Sequence, residues 1–355
     1  MSRDVAAPSR AGGVLVLRRG GFSVRLGVRA VVVGALAWAI AVAVALRGTV
    51  VGDYPMPLAT VLDTIAGNGT LITYDVVVRH RIPRAIVGVL VGAAFGVSGA
   101  IFQRLAHNPL VSPDVIGINA GAAAGAVLVI LVFGGTTGWV TAGALIGAGV
   151  AASLVYGIAR RGGFSGYRLV LVGVGVAAIL ASASTFLLSR ADTNEAMRAA
   201  AWQVGSLASR TWPDVLTAAL AIGLLVPAAL VLSRSLRLLE LGDDLARTLS
   251  PRIEPARVGL LAAAVGLAAL ATAASGPIGF VALVAPQIVR RLLRERSAGL
   301  LPSAGVGALV VVSADLVART AFSPYELPVG VLTALVGAPL LVYLLVRANR
   351  IGASG

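Results

Sequence analysis

Long apolar runs separated by short polar or glycine-rich breaks fill the chain from about residue 28 to its carboxyl end. The hydrocarbon layer of a bilayer is about 30 Å thick, so a helix rising about 1.5 Å per residue needs roughly 20 mostly apolar residues to cross it. On that measure the pattern predicts spans at 28–46, 85–105, 115–133, 138–159, 168–189, 212–233, 256–274, 278–293, 301–321 and 328–347. The expected fold is an all-α integral membrane protein of about ten transmembrane helices. The eighth span has the weakest pattern, because "GPIGFVALVAP" sets glycines and prolines around its start. The polar interruptions at 47–84, 190–211 and 234–255 are too short for a soluble domain. The chain therefore divides into a basic leader (1–27), a membrane body (28–350) and a short tail (351–355).

Composition agrees with this reading. The chain has 355 residues, of which 58% are hydrophobic and 12% charged, and its mean hydropathy is +0.93. One soluble core cannot hide that much apolar surface. With no cysteine there is neither a disulfide framework nor a thiolate metal site. The two histidines, His80 and His107, lie far apart in sequence and supply no metal-ligand spacing, so neither a metal nor another cofactor is expected.

The formal net charge is +14, unevenly distributed. With the amino terminus inside, the inner set holds Arg3 to Arg29, Arg104, Arg160, Arg161, Arg168, Arg234 to Arg257, Arg290 to Arg296, Arg347 and Arg350. The outer set is poorer: Arg47, Arg79, Arg81, Arg84, Arg190, Arg198, Arg210 and Arg319. Loop arginines resist translocation, which places both termini in the cytoplasm. No basic patch falls on a soluble face, which argues against nucleic-acid binding. "AVA" at 43–45 loosely resembles a signal-peptide cleavage site, but the apolar run before it is long for a signal core, so an uncleaved first span is the expectation.

Two features of "RHRIPRAIVGVLVGAAFGVSGAIFQ", Arg79 to Gln103, call for explanation. Gly88, Gly92 and Gly96 recur every fourth residue and continue to Ala100, which lines one helical face without bulk. In lipid such a face gains association energy by letting backbones approach closely, so it reads as a packing face in a helix bundle. Arg79, Arg81 and Arg84 precede that helix at the outer surface. They either snorkel to headgroups or receive an acidic partner through planar guanidinium forks.

The run "RIPRAIVGVLVGAAFGVSGAIFQRLAHNPLVSPDVIGINAGAAAGAVL" resembles the second and third spans of the iron-siderophore and cobalamin permeases of ABC importers. Four later stretches agree, in order. "LLELGDDLARTLS" (238–250) is similar to that family's cytoplasmic coupling segment, and "SGPIGFVALVAPQIVRRL" (275–292) to its seventh-to-eighth span junction. "SADLVART" (313–320) and "ELPVGVLTALVGAPLLVYLL" (326–345) are similar to its ninth and tenth spans. Gln287 departs from the pattern, standing where the family usually has histidine, and "SPR" at 250–252 stands where a glycine is common.

The resemblance implies a permease subunit of a binding-protein-dependent importer, multi-pass in a bacterial cytoplasmic (inner) membrane, carrying a ferric siderophore, haem or cobalamin. Its implied partners are a second permease, identical or paralogous, two cytoplasmic ATPase subunits that bind the ATP and Mg, and an extracytoplasmic substrate-binding lipoprotein. Arg81, Arg84 and Arg319 are then the receptors for acidic residues of the binding protein. Within the segment 234–257, Gly242, Asp243, Asp244, Leu245, Arg247 and Leu249 form the ATPase-coupling helix, its two acids near the positive amino end and Leu245 and Leu249 on one side. Ser165, Gly166 and Tyr167 fall at the inner gate, with a plain cytoplasmic turn as the alternative. Asn119 and Gly121, in "INAGAAAGA", belong to a pathway of small residues between the permease halves.

Every basic residue other than histidine is arginine, so no phosphate-binding loop with its lysine exists in the chain, and ATP hydrolysis must come from other subunits. An ion-coupled secondary transporter of a small organic solute is the rival class. It needs ionisable groups near the midplane. Asp315 comes nearest, and its spacing to Arg319 predicts an ion pair near the outer interface instead. A membrane enzyme would need a clustered acid, base or metal set, and the sequence offers none.

Overall fold

The computed structural model describes residues 10–11, 14–19, 22–52, 54–160, 166–295, 297–322 and 325–352. Residues 1–9 of the leader, Arg161, Ser165, Arg296 and residues 353–355 of the tail lie outside them. Three short antiparallel strands, β1 (Arg10–Ala11), β2 (Val14–Arg19) and β3 (Phe22–Gly27), precede the helices. In the β2–β3 pairing Val14 faces Gly27 and Arg19 faces Phe22. The leader, expected as a plain basic extension, thus carries a hairpin. The sequence signal is a run of Val and Leu, then Gly20-Gly21, then Phe22 and Val24.

Among the described residues the regular elements of the membrane body are all helices. A first helix, α1 (Val28–Val50), leads through α2 (Leu58–Ile65) and α3 (Leu71–Tyr74) into a π-helical stretch, Asp75–Arg81. That stretch continues without a break into α4 (Ile82–Leu105); Pro83 lies just past the join, and the Val78 carbonyl five residues before it accepts the Trp212 indole N–H at 3.1 Å. Then come α5 (Ile118–Val132), α6 (Thr137–Ala159), α7 (Gly166–Arg190) and the short α8 (Thr193–Gln203). The sixth expected span is composite: α9 (Trp212–Leu220), a π-helical stretch (Ala221–Leu225) and α10 (Val226–Val231). The short α11 (Ser233–Leu239) and α12 (Asp243–Leu249) follow, then α13 (Ile253–Ser275), α14 (Val281–Leu293), α15 (Leu300–Thr320) and α16 (Val329–Gly352).

Seven of the described helical runs are long and apolar enough to cross a bilayer, rather than the ten expected. The seven leave out α5, with 15 residues, and α14, with 13; α16 is itself 24 residues long. For α5 and α14 the reason is local. Irregular backbone at 106–117 and 276–280 takes up residues that the hydropathy pattern assigns to helix, with Gly117 at φ 90° and Phe280 at φ 67°.

The bundle is organised around α4. Its apolar 18-residue window is 78% buried, against 17% for that of α1. A Cβ added at Gly92 would strike the backbone of Gly307 and Ala308, and one at Gly96 the carbonyl of Ser303, so α4 and α15 touch backbone to backbone. Gly88 lies level with Val312. These pairs run in opposite order along the two helices, which are therefore antiparallel. On the next face Gly99 leaves room for the carbonyl of Ala282 at the start of α14. The same device joins α5 to α6, where Gly121 meets Gly147 and Gly125 meets Gly143. Association in lipid lacks a strong hydrophobic drive, and close backbone contact supplies dispersion in its place.

Candidate functional site

The cytoplasmic segment is shaped by one backbone position and one buried charge. Gly242, at φ 102°, makes the sharp turn from α11 into α12, a conformation other residues adopt only with strain. Asp243 then receives a two-pronged bond from Arg257 of α13, Nη2 to Oδ1 at 2.7 Å and Nη1 to Oδ2 at 3.1 Å. The Arg257 side chain is only 2% exposed, while Asp243 stands 34% exposed, so the fork reaches from the bundle to the surface. Those bonds hold the Asp243 carboxyl below the ordinary carboxylate range. Farther out, Arg247 pairs with Glu254 at 3.2 Å. Asp244 is exposed and makes no cap to Gly242. Ala246 is buried, while Leu241, Leu245 and Leu249 are each more than half exposed. The helix is thus pinned on one side and turns a row of leucines outward.

A second fork ties this segment to the centre of the bundle. Arg104, at the end of α4, donates from Nε and Nη2 to the two oxygens of Glu240 at 2.8 and 2.9 Å. Ser297, just before α15, donates to the same carboxylate at 2.8 Å. Sequence reasoning missed Glu240, Arg104 and Arg257 as site residues. Only the 14-residue spacing of Asp243 and Arg257 lay within reach of a local rule, and Arg104 and Glu240 are 136 residues apart.

At the outer face the structure brings Arg81, Arg84 and Arg319 together. With Tyr54, His80, Ser209 and Glu326 they line a cavity of about 250 Å³. Each guanidinium is engaged from within. Arg81 donates to the carbonyls of Thr49, Val50 and Tyr54, holding the end of α1. Arg84 meets Asp315 at 2.9 Å and, at the rim, Glu326 at 2.9 Å. Arg319 pairs with Asp315 at 3.0 Å, the ion pair its spacing predicts, and donates to the Gly48 carbonyl at 2.9 Å. Asp315 is the shared counter-ion of two arginines and is 4% exposed. Arg79 points outward and pairs with Asp75.

Where α4, α5 and α14 meet there is a buried carboxylate that sequence reasoning overlooked. Asp114, in the irregular segment before α5, accepts the backbone N–H of Phe280 at 2.8 Å. Phe280 is the N-cap residue of α14, in left-handed backbone, so an aspartate from a distant loop satisfies that helix start. The other Asp114 oxygen is buried without a hydrogen-bond partner. Burial pushes this carboxyl up, and the Phe280 N–H pulls against that shift. Nearby, Gln287 donates to the Gln103 side chain at 2.7 Å and to the Pro109 carbonyl at 2.9 Å. The glutamine that departs from the family pattern therefore stitches α14 to α4 and to the same loop.

Of the expected pathway residues, Gly121 faces α6, and the Asn119 carbonyl accepts from Thr272 of α13 at 3.1 Å. At the expected gate Gly166 abuts the backbone of Ala106 and Tyr167 is exposed, while Ser165 lies outside the described residues. Among the described residues no group of His, Cys, Asp and Glu forms a metal site.

The described residues form a multi-helix membrane body whose helices touch backbone to backbone. The profile of the FecCD transport family matches residues 35–347, and the chain belongs to that family. It is 41% identical over 299 residues to the ferric enterobactin transport system permease protein FepG of Escherichia coli (strain K12), covering 84% of this chain and 91% of that one. The achromobactin transport system permease protein CbrC of Dickeya dadantii (strain 3937) is 37% identical over 340 residues, 95% of this chain and 97% of its own. Among solved structures, an inward-facing metal-chelate type ABC transporter superposes with a TM-score of 0.75 at 28% identity, over 88% of this chain and 98% of that one. The protein is a multi-pass permease subunit of an ABC importer in the cytoplasmic membrane.

Proposed function

We propose that this permease carries a ferric siderophore across the cytoplasmic membrane, working with two ATPase subunits, a second permease and a binding protein. The observation that carries the coupling part is α12. Leu245 and Leu249 are 58% and 59% exposed on a helix anchored by the buried Arg257 fork. Exposed leucines on a cytoplasmic helix held this firmly suit a partner subunit better than water. Motion of the docked ATPase would pass through Glu240 to Arg104 and the central α4. The cargo class rests on the relatives, whose names specify ferric enterobactin and achromobactin.

The outer cavity is the proposed docking point for an acidic side chain of the binding protein. Arg84 is its adaptable member, because its rim partner Glu326 is 34% exposed and open to replacement by an incoming carboxylate. Glu326→Gln is therefore expected to tighten binding-protein association, most clearly at low salt. Affinity in nanodiscs at two ionic strengths checks this, and an unchanged or weaker affinity would remove the docking assignment.

The central test is ATP-dependent uptake of a ferric siderophore by vesicles containing the assembled importer. Leu249→Asp is expected to abolish uptake and ATPase recovery while the permease still inserts. Uptake that continued without ATP and tracked a proton gradient would favour a secondary transporter.

A further inference from the structure

Between α6 and α13 lies a groove of about 460 Å³, within the range of small-molecule and cofactor sites. Gly149, Ser153 and Tyr156 of α6 form one wall, Val258, Ala262 and Gly266 of α13 the other, and Phe102 is among the residues lining the space between them. On α13 the lining runs from Val258 to Leu270, about 18 Å at 1.5 Å per residue. That is close to one leaflet, half of the roughly 30 Å hydrocarbon layer. Gly149, Ser153, Val258 and Ala262 are exposed, so the groove opens sideways out of the bundle.

The two helices that form the walls carry arginines at their cytoplasmic ends. The helices are antiparallel, and the Tyr156 and Val258 end lies toward the cytoplasm, where α6 stops and α13 starts. Arg160 caps α6 one turn beyond Tyr156, and Arg252 stands at the N-cap of α13. Both are exposed, and among the described residues neither has a carboxylate partner. The nearest acid in sequence to Arg252, Glu254, is already taken by Arg247 and Arg257.

We infer that this groove is a binding site for an anionic phospholipid of the inner leaflet, with an acyl chain between α6 and α13 and the headgroup on Arg160 and Arg252. The lining is apolar except for Ser153 and Tyr156, both on the α6 wall, with no charged group to orient a soluble ligand, whereas basic positions between spans on the cytoplasmic side suit an anionic headgroup. The site is at the opposite end of the bundle from the outer arginine cluster, and Arg252 follows Leu249 of α12 by three residues.

The experiment is lipid retention by the purified importer complex, read by native mass spectrometry after supplementation with phosphatidylglycerol or phosphatidylcholine. Wild type should retain phosphatidylglycerol about thirtyfold better, the scale set by two arginines near a membrane surface. R160Q/R252Q should erase that preference while still retaining either lipid. G149F should lower retention of both, and a Cβ at Gly149 meets no atom within 4 Å, so the new ring enters open groove without disturbing the helix contacts. Equal retention of the two lipids by wild type, or retention unaffected by G149F, would overturn the inference. No retained lipid at all would also overturn it, and would point to a protein surface covering the groove.

Discussion

Asp243 has its carboxyl depressed by the Arg257 fork, so its contribution to holding α12 is present above the ordinary aspartate range, about 3.9, and is lost as pH falls through the lowered value. The thermal stability gap between wild type and Asp243→Asn should therefore be constant at neutral pH and close only in acid, below about pH 4. Intrinsic tryptophan fluorescence during heating in detergent reads this directly. Asp114 gives a second residue-level expectation. Asp114→Leu leaves the buried Phe280 N–H without its acceptor, which costs about 1–3 kcal/mol, whereas Asp114→Asn keeps a carbonyl there and should recover most of the loss. Equal melting temperatures for the two variants would show that the cap contributes nothing. Arg81 illustrates how burial revises a surface reading: reversing its charge would set a carboxylate against the carbonyls of Thr49, Val50 and Tyr54. Arg81→Glu is thus expected to impair folding as well as any docking.

Among the elements, α4 carries the tightest constraints. Gly92→Val and Gly99→Val would each drive side-chain atoms into the backbone of a neighbouring helix, α15 and α14 respectively. Overpacking costs about 1–3 kcal/mol where neighbours can yield, and backbone cannot yield as a side-chain tip does, so the loss should exceed that range. Gly175→Val on α7 is the control, since a Cβ there meets nothing within 4 Å. The yield of folded permease on size-exclusion chromatography should fall sharply for the first two variants and stay at the wild-type level for the control.

For the whole molecule the question is how a push on α12 reaches the bundle. Arg104 and Glu240 join the cytoplasmic segment to α4 through a two-pronged bond. Arg104→Lys keeps the charge and gives up the fork. It is expected to leave ATPase subunits bound and hydrolysing ATP while uptake per ATP falls several-fold. Uptake per ATP equal to wild type would mean that coupling takes another route.

The sequence by itself determined the membrane body and the glycine face of α4, because hydropathy and four-residue spacing are local and act wherever the chain lies. It also placed α12, through Gly242 and the two acids after it. It did not reveal that α5 and α14 start late, because both starts depend on irregular backbone satisfied by groups far away in sequence. The amide N–H of Phe280 needs Asp114, 166 residues earlier. Nor could it tell which arginines face outward. Arg79 and Arg81 are two residues apart, yet Arg79 pairs with Asp75 in the open while Arg81 is buried against the end of α1. A charged side chain's role follows from its partners, and for Arg81, Arg84, Arg104 and Arg319 those partners come together only when distant helices pack.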